Sequence, residues 1–219
     1  MKIAGNLIED GVVAGNAYDK FGTRNPLARW MMLRFGRALD DLVRAAAPNS
    51  IHEIGCGEGY WVLRWLGQKR MARGSDFSSK VIDLARLNAR ECGFPADGFQ
   101  VRSIYQLDPA NDSADLLVCC EVLEHLENPV LALQLLRSAA RCHVILSVPR
   151  EPLWRWLNIA RGAYWGRLGN TPGHLQHWTR RGFIRLVEGQ FEVLAVRTPI
   201  PWTMVLCRPK PCLSPEEVG

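Results

Sequence analysis

Ile51-His52-Glu53-Ile54-Gly55-Cys56-Gly57-Glu58-Gly59 is a short apolar strand pattern that runs directly into glycines at every second position. Lacking a Cβ, glycine adopts dihedrals other residues avoid, so such a loop turns tightly and lets a ligand approach the backbone. A helical pattern follows at once over Tyr60 to Gln68. The loop therefore joins a strand to a helix N-terminus, where open α/β sheets bind nucleotide-like ligands. A dinucleotide fingerprint needs its third glycine where this chain has Tyr60, and a P-loop needs a closing Gly-Lys-Ser/Thr that is absent. Asp76 closes the next strand pattern, Met71 to Asp76, at the distance where a carboxylate reaches ribose hydroxyls.

The 219 residues, 47% of them hydrophobic, suit one α/β domain with a sizeable core. A net charge of +5 permits an anionic substrate or a nucleic acid and demands neither. The basic residues recur in the N-terminal helix and again between Arg150 and Arg185, without one long run. No apolar run approaches the roughly 20 residues that span a bilayer, and Met1 to Asn6 lacks a signal-peptide core. These features lead to the expectation of a cytoplasmic protein with no transmembrane segment. Seven cysteines without regular spacing or a Cys-x-x-Cys pair fit reduced thiols rather than disulfides or a zinc site. Cys119 and Cys120 read as small buried strand residues.

Asn25-Pro26 signals a helix start, and Leu27, Trp30, Met31, Phe35, Leu39 and Leu42 recur at helical spacing up to Ala46, predicting one buried face. Ser78 or Ser79 caps a helix reaching Arg90, and Phe99 to Ser103 reads as a third strand. Ala114 to Cys120 is almost wholly apolar, as in a parallel strand buried on both faces. A helix from Pro129 to Arg141 leads to a fifth strand, His143 to Pro149. Thr179 caps a helix through Glu188. Phe191–Arg197 and Trp202–Cys207 flank a short proline-containing turn, so they must pair antiparallel.

The acid-x-Gly-x-Gly-x-Gly loop with Asp76 resembles the cofactor site of class I S-adenosylmethionine-dependent methyltransferases. The run Cys120-Glu121-Val122-Leu123-Glu124-His125-Leu126-Glu127-Asn128-Pro129 resembles the fourth-strand motif of the ubiquinone-pathway O-methyltransferases. The resemblance implies a Rossmann-like α/β sheet, mostly parallel with a C-terminal antiparallel hairpin and helices on both faces. It divides a single domain, 1–219, into an N-terminal helical cap (1–47), a cofactor-binding core (48–148), a substrate-lid insertion (149–178), a C-terminal helix and hairpin (179–208) and a tail (209–219). It further implies S-adenosyl-L-methionine bound by Glu53, Gly55, Cys56, Gly57, Gly59, Asp76, Phe77, Ile104 and Glu121. Tyr18, in a Tyr-Asp pair of the kind that often lies near this cofactor, is expected to close over the methionine part, with ordinary packing as the alternative. The Asp that commonly holds the adenine amino group is replaced by Ser103-Ile104-Tyr105, so the backbone of Ile104 takes its place.

Glu121, Glu124 and His125, joined by His174, offer an oxygen and nitrogen set for a divalent ion, Mg or Mn. The same Glu-x-x-Glu-His arrangement holds a metal in the relatives, including small-RNA 2′-O-methyltransferases; other relatives with a Glu-His-Leu loop use none. The stretch from Gly173 to Arg180 lacks the Asp-His pair and the Phe-Glu of the RNA enzymes. His174, then His177, and also His125 are candidate catalytic bases. Trp154, Trp156, Tyr164 and Trp165 alternate with Arg150, Arg155, Arg161 and Arg167, which suits stacking on a ring, steering an anionic group, or covering an apolar patch or dimer surface. The expected activity is methyl transfer to a hydroxyl oxygen of a small-molecule acceptor or lipid-pathway intermediate. The alternatives are RNA 2′-O-methylation, which demands salt-sensitive nucleic acid binding, small-molecule N-methylation, and cofactor binding without catalysis.

Overall fold

Alternate residues of an extended strand face opposite ways, and the apolar run Ala114–Cys120 uses both directions. In the computed structural model Leu116 and Val118 pack into a cluster with Leu39, Leu42, Trp61 and Trp65, while Leu117 and Cys119 pack on the other side with Leu133, Leu136 and Phe183. The structure describes residues 1–5, 7–9, 12–15, 20–160, 168–171 and 173–211. Tyr18, Tyr164, Trp165, Arg161, Arg167 and the tail beyond 211 lie outside the described residues.

A hairpin of β1 (Leu7–Glu9) and β2 (Val12–Ala14) precedes α1 (Pro26–Ala46). Then follow β3 (Ser50–Ile54), α2 (Tyr60–Gly67), β4 (Met71–Asp76), α3 (Ser79–Glu91), β5 (Phe99–Val101) and the short α4 (Pro109–Asp112). The second half comprises β6 (Ala114–Cys120), α5 (Pro129–Ala139), β7 (Ala140–Pro149), α6 (Leu153–Ala160), α7 (Arg180–Glu188), β8 (Phe191–Arg197) and β9 (Trp202–Pro209). The seven-stranded sheet has the order β5-β4-β3-β6-β7-β9-β8. Strands β3 to β7 run parallel, and β9 pairs antiparallel with both β7 and β8. The expected closing hairpin is present. After β3 the chain builds outward through β4 and β5, then returns to place β6 on the other side of β3. That reversal is the switch point where a crevice opens beyond the strand ends.

The cap of α1 follows from its sequence: the Asn25 side chain accepts from the backbone N–H of Leu27 at 2.9 Å and Ala28 at 3.1 Å. The buried stripe, however, runs only from Phe35 to Ala46. Leu27 and Trp30, expected inside, are 56% and 43% exposed. Periodicity tells which side of a helix is apolar, not how much of its length finds a partner.

Three other boundaries differ from expectation. Helix α5 stops at Ala139, not Arg141, because Ala140 pairs with Ala114 of β6 and the chain enters β7 there. Strand β5 ends at Val101, because Ser103 caps a 3-10 turn over Ile104–Gln106, accepting from Tyr105 N–H at 3.3 Å. The N-terminal region is not only helical: residues ahead of α1 form the β1–β2 arm. This arm is tied down by Lys2 N–H donating to Asn88 Oδ1 at 2.8 Å and Ala4 N–H donating to Glu58 Oε1 at 2.9 Å. Among the described residues no helix is long and apolar enough to cross a membrane.

Candidate active site

A cavity of about 590 Å³ opens beyond the carboxyl ends of β3, β4 and β6, walled by the glycine loop, Asp76, the Ser103–Gln106 turn and the Glu121 loop. Gly55 sits at φ +76°, and a Cβ there would lie 2.3 Å from Val122 Cγ2, so glycine lets the two loops meet. Asp76 is fixed at the end of β4, its carboxylate accepting from Gly57 N–H at 3.1 Å and Ser78 N–H at 3.0 Å. Burial pushes its pKa up, and those two N–H groups oppose the shift. Glu53 is 3% exposed, with Oε2 unpartnered among the described residues, and burial drives its carboxyl well above the ordinary range. Cys56, Gly57, Phe77, Ile104 and Tyr105 complete this half of the wall. Gly59, expected at the ligand, lies off the cavity; a Cβ there would stand 2.7 Å from Phe99 Cε1, so the residue serves helix-to-sheet packing.

Glu121 follows β6 at φ +60° and faces the cavity. Trp202 Nε1 donates to its Oε2 at 2.5 Å and Ser147 Oγ to its Oε1 at 3.3 Å. Burial pushes this carboxyl up to about 7, against those hydrogen bonds and the charge of Lys20. The fit to S-adenosylmethionine rests on this donor set. An unpartnered buried carboxylate oxygen can take the methionyl ammonium, Asp76 the ribose hydroxyls, and the cavity is of ligand size.

Beside the cavity, the ligating atoms of Glu124, His125 and His174 lie within 4.8 Å of one another. Both Glu124 oxygens are buried without hydrogen-bond partners among the described residues, and burial raises that carboxyl strongly. His125 Nδ1 lies 2.9 Å from the Gly173 carbonyl, which makes it the N–H donor and leaves Nε2 as the acceptor. Leu175 and Gln176 N–H groups donate to the Glu124 carbonyl at 2.8 and 3.0 Å, drawing the His174 segment against this loop. The His174 ring lies 4.9 Å from that of His125 and 6.1 Å from Trp154, and burial pushes it down to about 3.

Two of the expected residues stand apart from the others. Glu121 is not among the clustered side chains that could hold a metal ion, and is engaged by Trp202 and Ser147. His177 lies off the cavity with Nε2 2.7 Å from Asn170 Oδ1, an arrangement that orders its own loop. Sequence reasoning did not find Lys20 and Trp202, both on the cavity wall. Trp202 reads simply as the first residue of a strand, and nothing local joins it to Glu121 across 81 positions.

A family model described as a methyltransferase domain matches residues 27–196. The chain is 25% identical over 153 residues to the ubiquinone biosynthesis O-methyltransferase of Pectobacterium atrosepticum, which covers 69% of this chain and 63% of that protein. The match thus spans less than two thirds of that relative's length. Among solved structures, magnesium protoporphyrin IX methyltransferase from Synechocystis with bound S-adenosylhomocysteine superposes with a TM-score of 0.65 at 19% identity, over 87% of this chain and 91% of that one. The methyltransferase domain of bacterial CtHen1-CN gives 0.61 at 20% identity, over 81% and 99%. At these identities the structural likeness is one of fold. With the family match spanning most of its length, and with this strand order and glycine loop, the chain belongs to the methyltransferase-domain family and has the class I S-adenosylmethionine-dependent fold.

Proposed function

We propose that this protein transfers the methyl group of S-adenosylmethionine to a hydroxyl oxygen of a small molecule, with Glu121 as the general base. The observation that carries this reading is Glu121 itself, a cavity-facing carboxyl held between Trp202 and Ser147 with its pKa at about 7. A base is most effective when its pKa lies near the working pH. His174, pushed down to about 3, is a poor proton acceptor at neutral pH. The sulfonium supplies an already reactive methyl group, so the protein's work is alignment and exclusion of water. In this reading Glu53 binds the methionyl ammonium, Asp76 the ribose hydroxyls, and Phe77 and Ile104 flank the adenine. Met32, Phe35 and Trp61 give the cavity an apolar wall, which supports a compact acceptor bearing a ring or short chain.

Glu124, His125 and His174 would hold a divalent ion beside this cavity. Two imidazoles suit a transition ion better than magnesium, so manganese is the fitting member of the expected pair. Bound there, it would polarise the acceptor oxygen. The reading is tested by following labelled methyl transfer from S-adenosylmethionine into fractionated cell extract, comparing the wild type with Glu121→Gln. A labelled small molecule, formed about 10²-fold or more slowly by the variant, is the expected result. Transfer that is unaffected by the substitution would remove Glu121 from the chemistry.

A further inference from the structure

The first half of α1 is basic and apolar at once. From Lys20 to Arg37 the sequence carries Lys20, Arg24, Arg29, Arg34 and Arg37 and no acidic residue. The acids of the helix begin at Asp40 and Asp41, and each is already matched, Asp40 with Arg64 at 2.6 Å and Asp41 with Arg44. Arg24, Arg29, Arg34 and Arg37 are all exposed, and none is in a salt bridge among the described residues.

Leu27, Trp30 and Leu33 follow one another at three-residue steps, which makes them neighbours on a helix surface. All three are exposed, Leu33 at 60%. The guanidinium carbon of Arg34 lies 5.3 Å from the centre of the Trp30 ring, so cations and apolar groups form one patch rather than two. Phe35, Leu39 and Leu42 already pack with Trp61, Trp65 and Leu116, so α1 is held on the domain without using this patch.

Charge selects what can cover it. A second copy docked about a two-fold axis would bring the patch against itself and set arginine facing arginine, which disfavours contact. A phosphate backbone would take the arginines but leave the leucines and the tryptophan without an apolar partner. An anionic bilayer takes both: Trp and Leu enter the boundary between headgroups and acyl chains, and the arginines reach the lipid phosphates.

We propose that the first half of α1, Pro26 to Arg37, is a docking face for an anionic lipid bilayer, lying on its surface and not crossing it. Met32 and Phe35 of the same stretch line the cavity, so docking sets the cavity beside the lipid. Lipid binding is independent of the chemistry at Glu121, since it is measured without cofactor or turnover.

The full chain is sedimented with vesicles of phosphatidylcholine alone and of phosphatidylcholine mixed equally with phosphatidylglycerol, at low and high salt. Binding is expected on the mixed vesicles and is expected to fall steeply as salt rises. At about fivefold per cation, Arg29→Gln/Arg34→Gln/Arg37→Gln should partition about a hundredfold more weakly. Trp30→Gln/Leu33→Gln should weaken binding about tenfold or more on the same vesicles. All five positions are exposed, so thermal melts of both variants should match the wild type. A wild type that leaves mixed vesicles unbound at low salt, or that ignores lipid charge, overturns the proposal whatever the variants do. Binding unchanged in both variants does the same. So does a dimer in solution that Trp30→Gln/Leu33→Gln dissociates, which would give the face to a second copy.

Discussion

Trp202 Nε1 donates to Glu121 Oε2 at 2.5 Å, joining the first residue of the last strand to the loop that follows β6. The bond favours the ionised carboxylate, so removing it raises the Glu121 pKa further above about 7. Activity that needs ionised Glu121 is present above that pKa and lost as pH falls through it. Trp202→Phe keeps an aromatic ring and deletes the donor. Its kcat/KM profile against pH is expected to show the acid limb displaced to higher pH, with little change on the alkaline side. An acid limb that stays where the wild type has it contradicts the role given to this pair.

Gly55 meets Val122 so closely that an added Cβ would stand 2.3 Å from Val122 Cγ2, and it does so at φ +76°. Gly55→Ala combines left-handed strain of about 1–2 kcal/mol with overpacking of about 1–3 kcal/mol. Denaturant unfolding should show a loss in that combined range. Adding Val122→Ala should restore the overpacking part and leave the strain. A fully stable single variant would mean that the loops separate freely.

His52 is buried in the sheet with Nδ1 2.8 Å from the Asp112 carbonyl and Nε2 3.0 Å from Ser75 Oγ. The carbonyl can only accept, so Nδ1 carries the proton and Nε2 accepts from the serine hydroxyl. Burial lowers this histidine from 6.5 to about 4, so the folded state holds it neutral. Its contribution is fully present above 6.5, and it falls away as pH drops from 6.5 toward 4, where the unfolded chain binds the proton and the folded chain does not. Across that window the wild type should lose about 3 kcal/mol relative to His52→Gln. Parallel stability curves for the two proteins would show that His52 does not titrate in this way.

Among the described residues, Glu124 leaves both carboxylate oxygens buried and unpartnered beside His125 and His174. Exhaustive chelation is expected to lower activity, and manganese to restore it. Glu124→Ala should bind the ion about 10–100-fold more weakly, a loss at least as large as that of an outer ligand, measured by elemental analysis after dialysis. Full activity in a metal-free preparation would leave these groups as a structural cluster.

The parts of the fold that were legible in the sequence are those set by local chemistry. Asn25 before Pro26 caps α1, the run from Ala114 to Cys120 forms a doubly buried strand, and the short turn before Trp202 forces an antiparallel pair. The glycine loop and Asp76 meet at one cavity because strands β3 and β4 are neighbours, which their spacing in the chain implies. What was not legible depends on distant contacts. Leu27 and Trp30 share the apolar stripe of Phe35 and Leu39, yet among the described residues no partner covers them to the same degree. Residues ahead of α1 form a hairpin arm tied to Asn88 and Glu58, residues with no sequence signal pointing to an N-terminal partner. Lys20 reads as a surface charge until Phe21 is seen stacked on Tyr60.

The most direct test uses S-adenosylmethionine whose methyl group carries a heavy carbon isotope, incubated with the protein and fractionated extract. The methylated product is then identified by mass spectrometry and nuclear magnetic resonance. Label in a methyl ether of a small molecule, dependent on Glu121, is the predicted result. Label on nitrogen or on nucleic acid, or no transfer from a chain that binds S-adenosylhomocysteine, would contradict it.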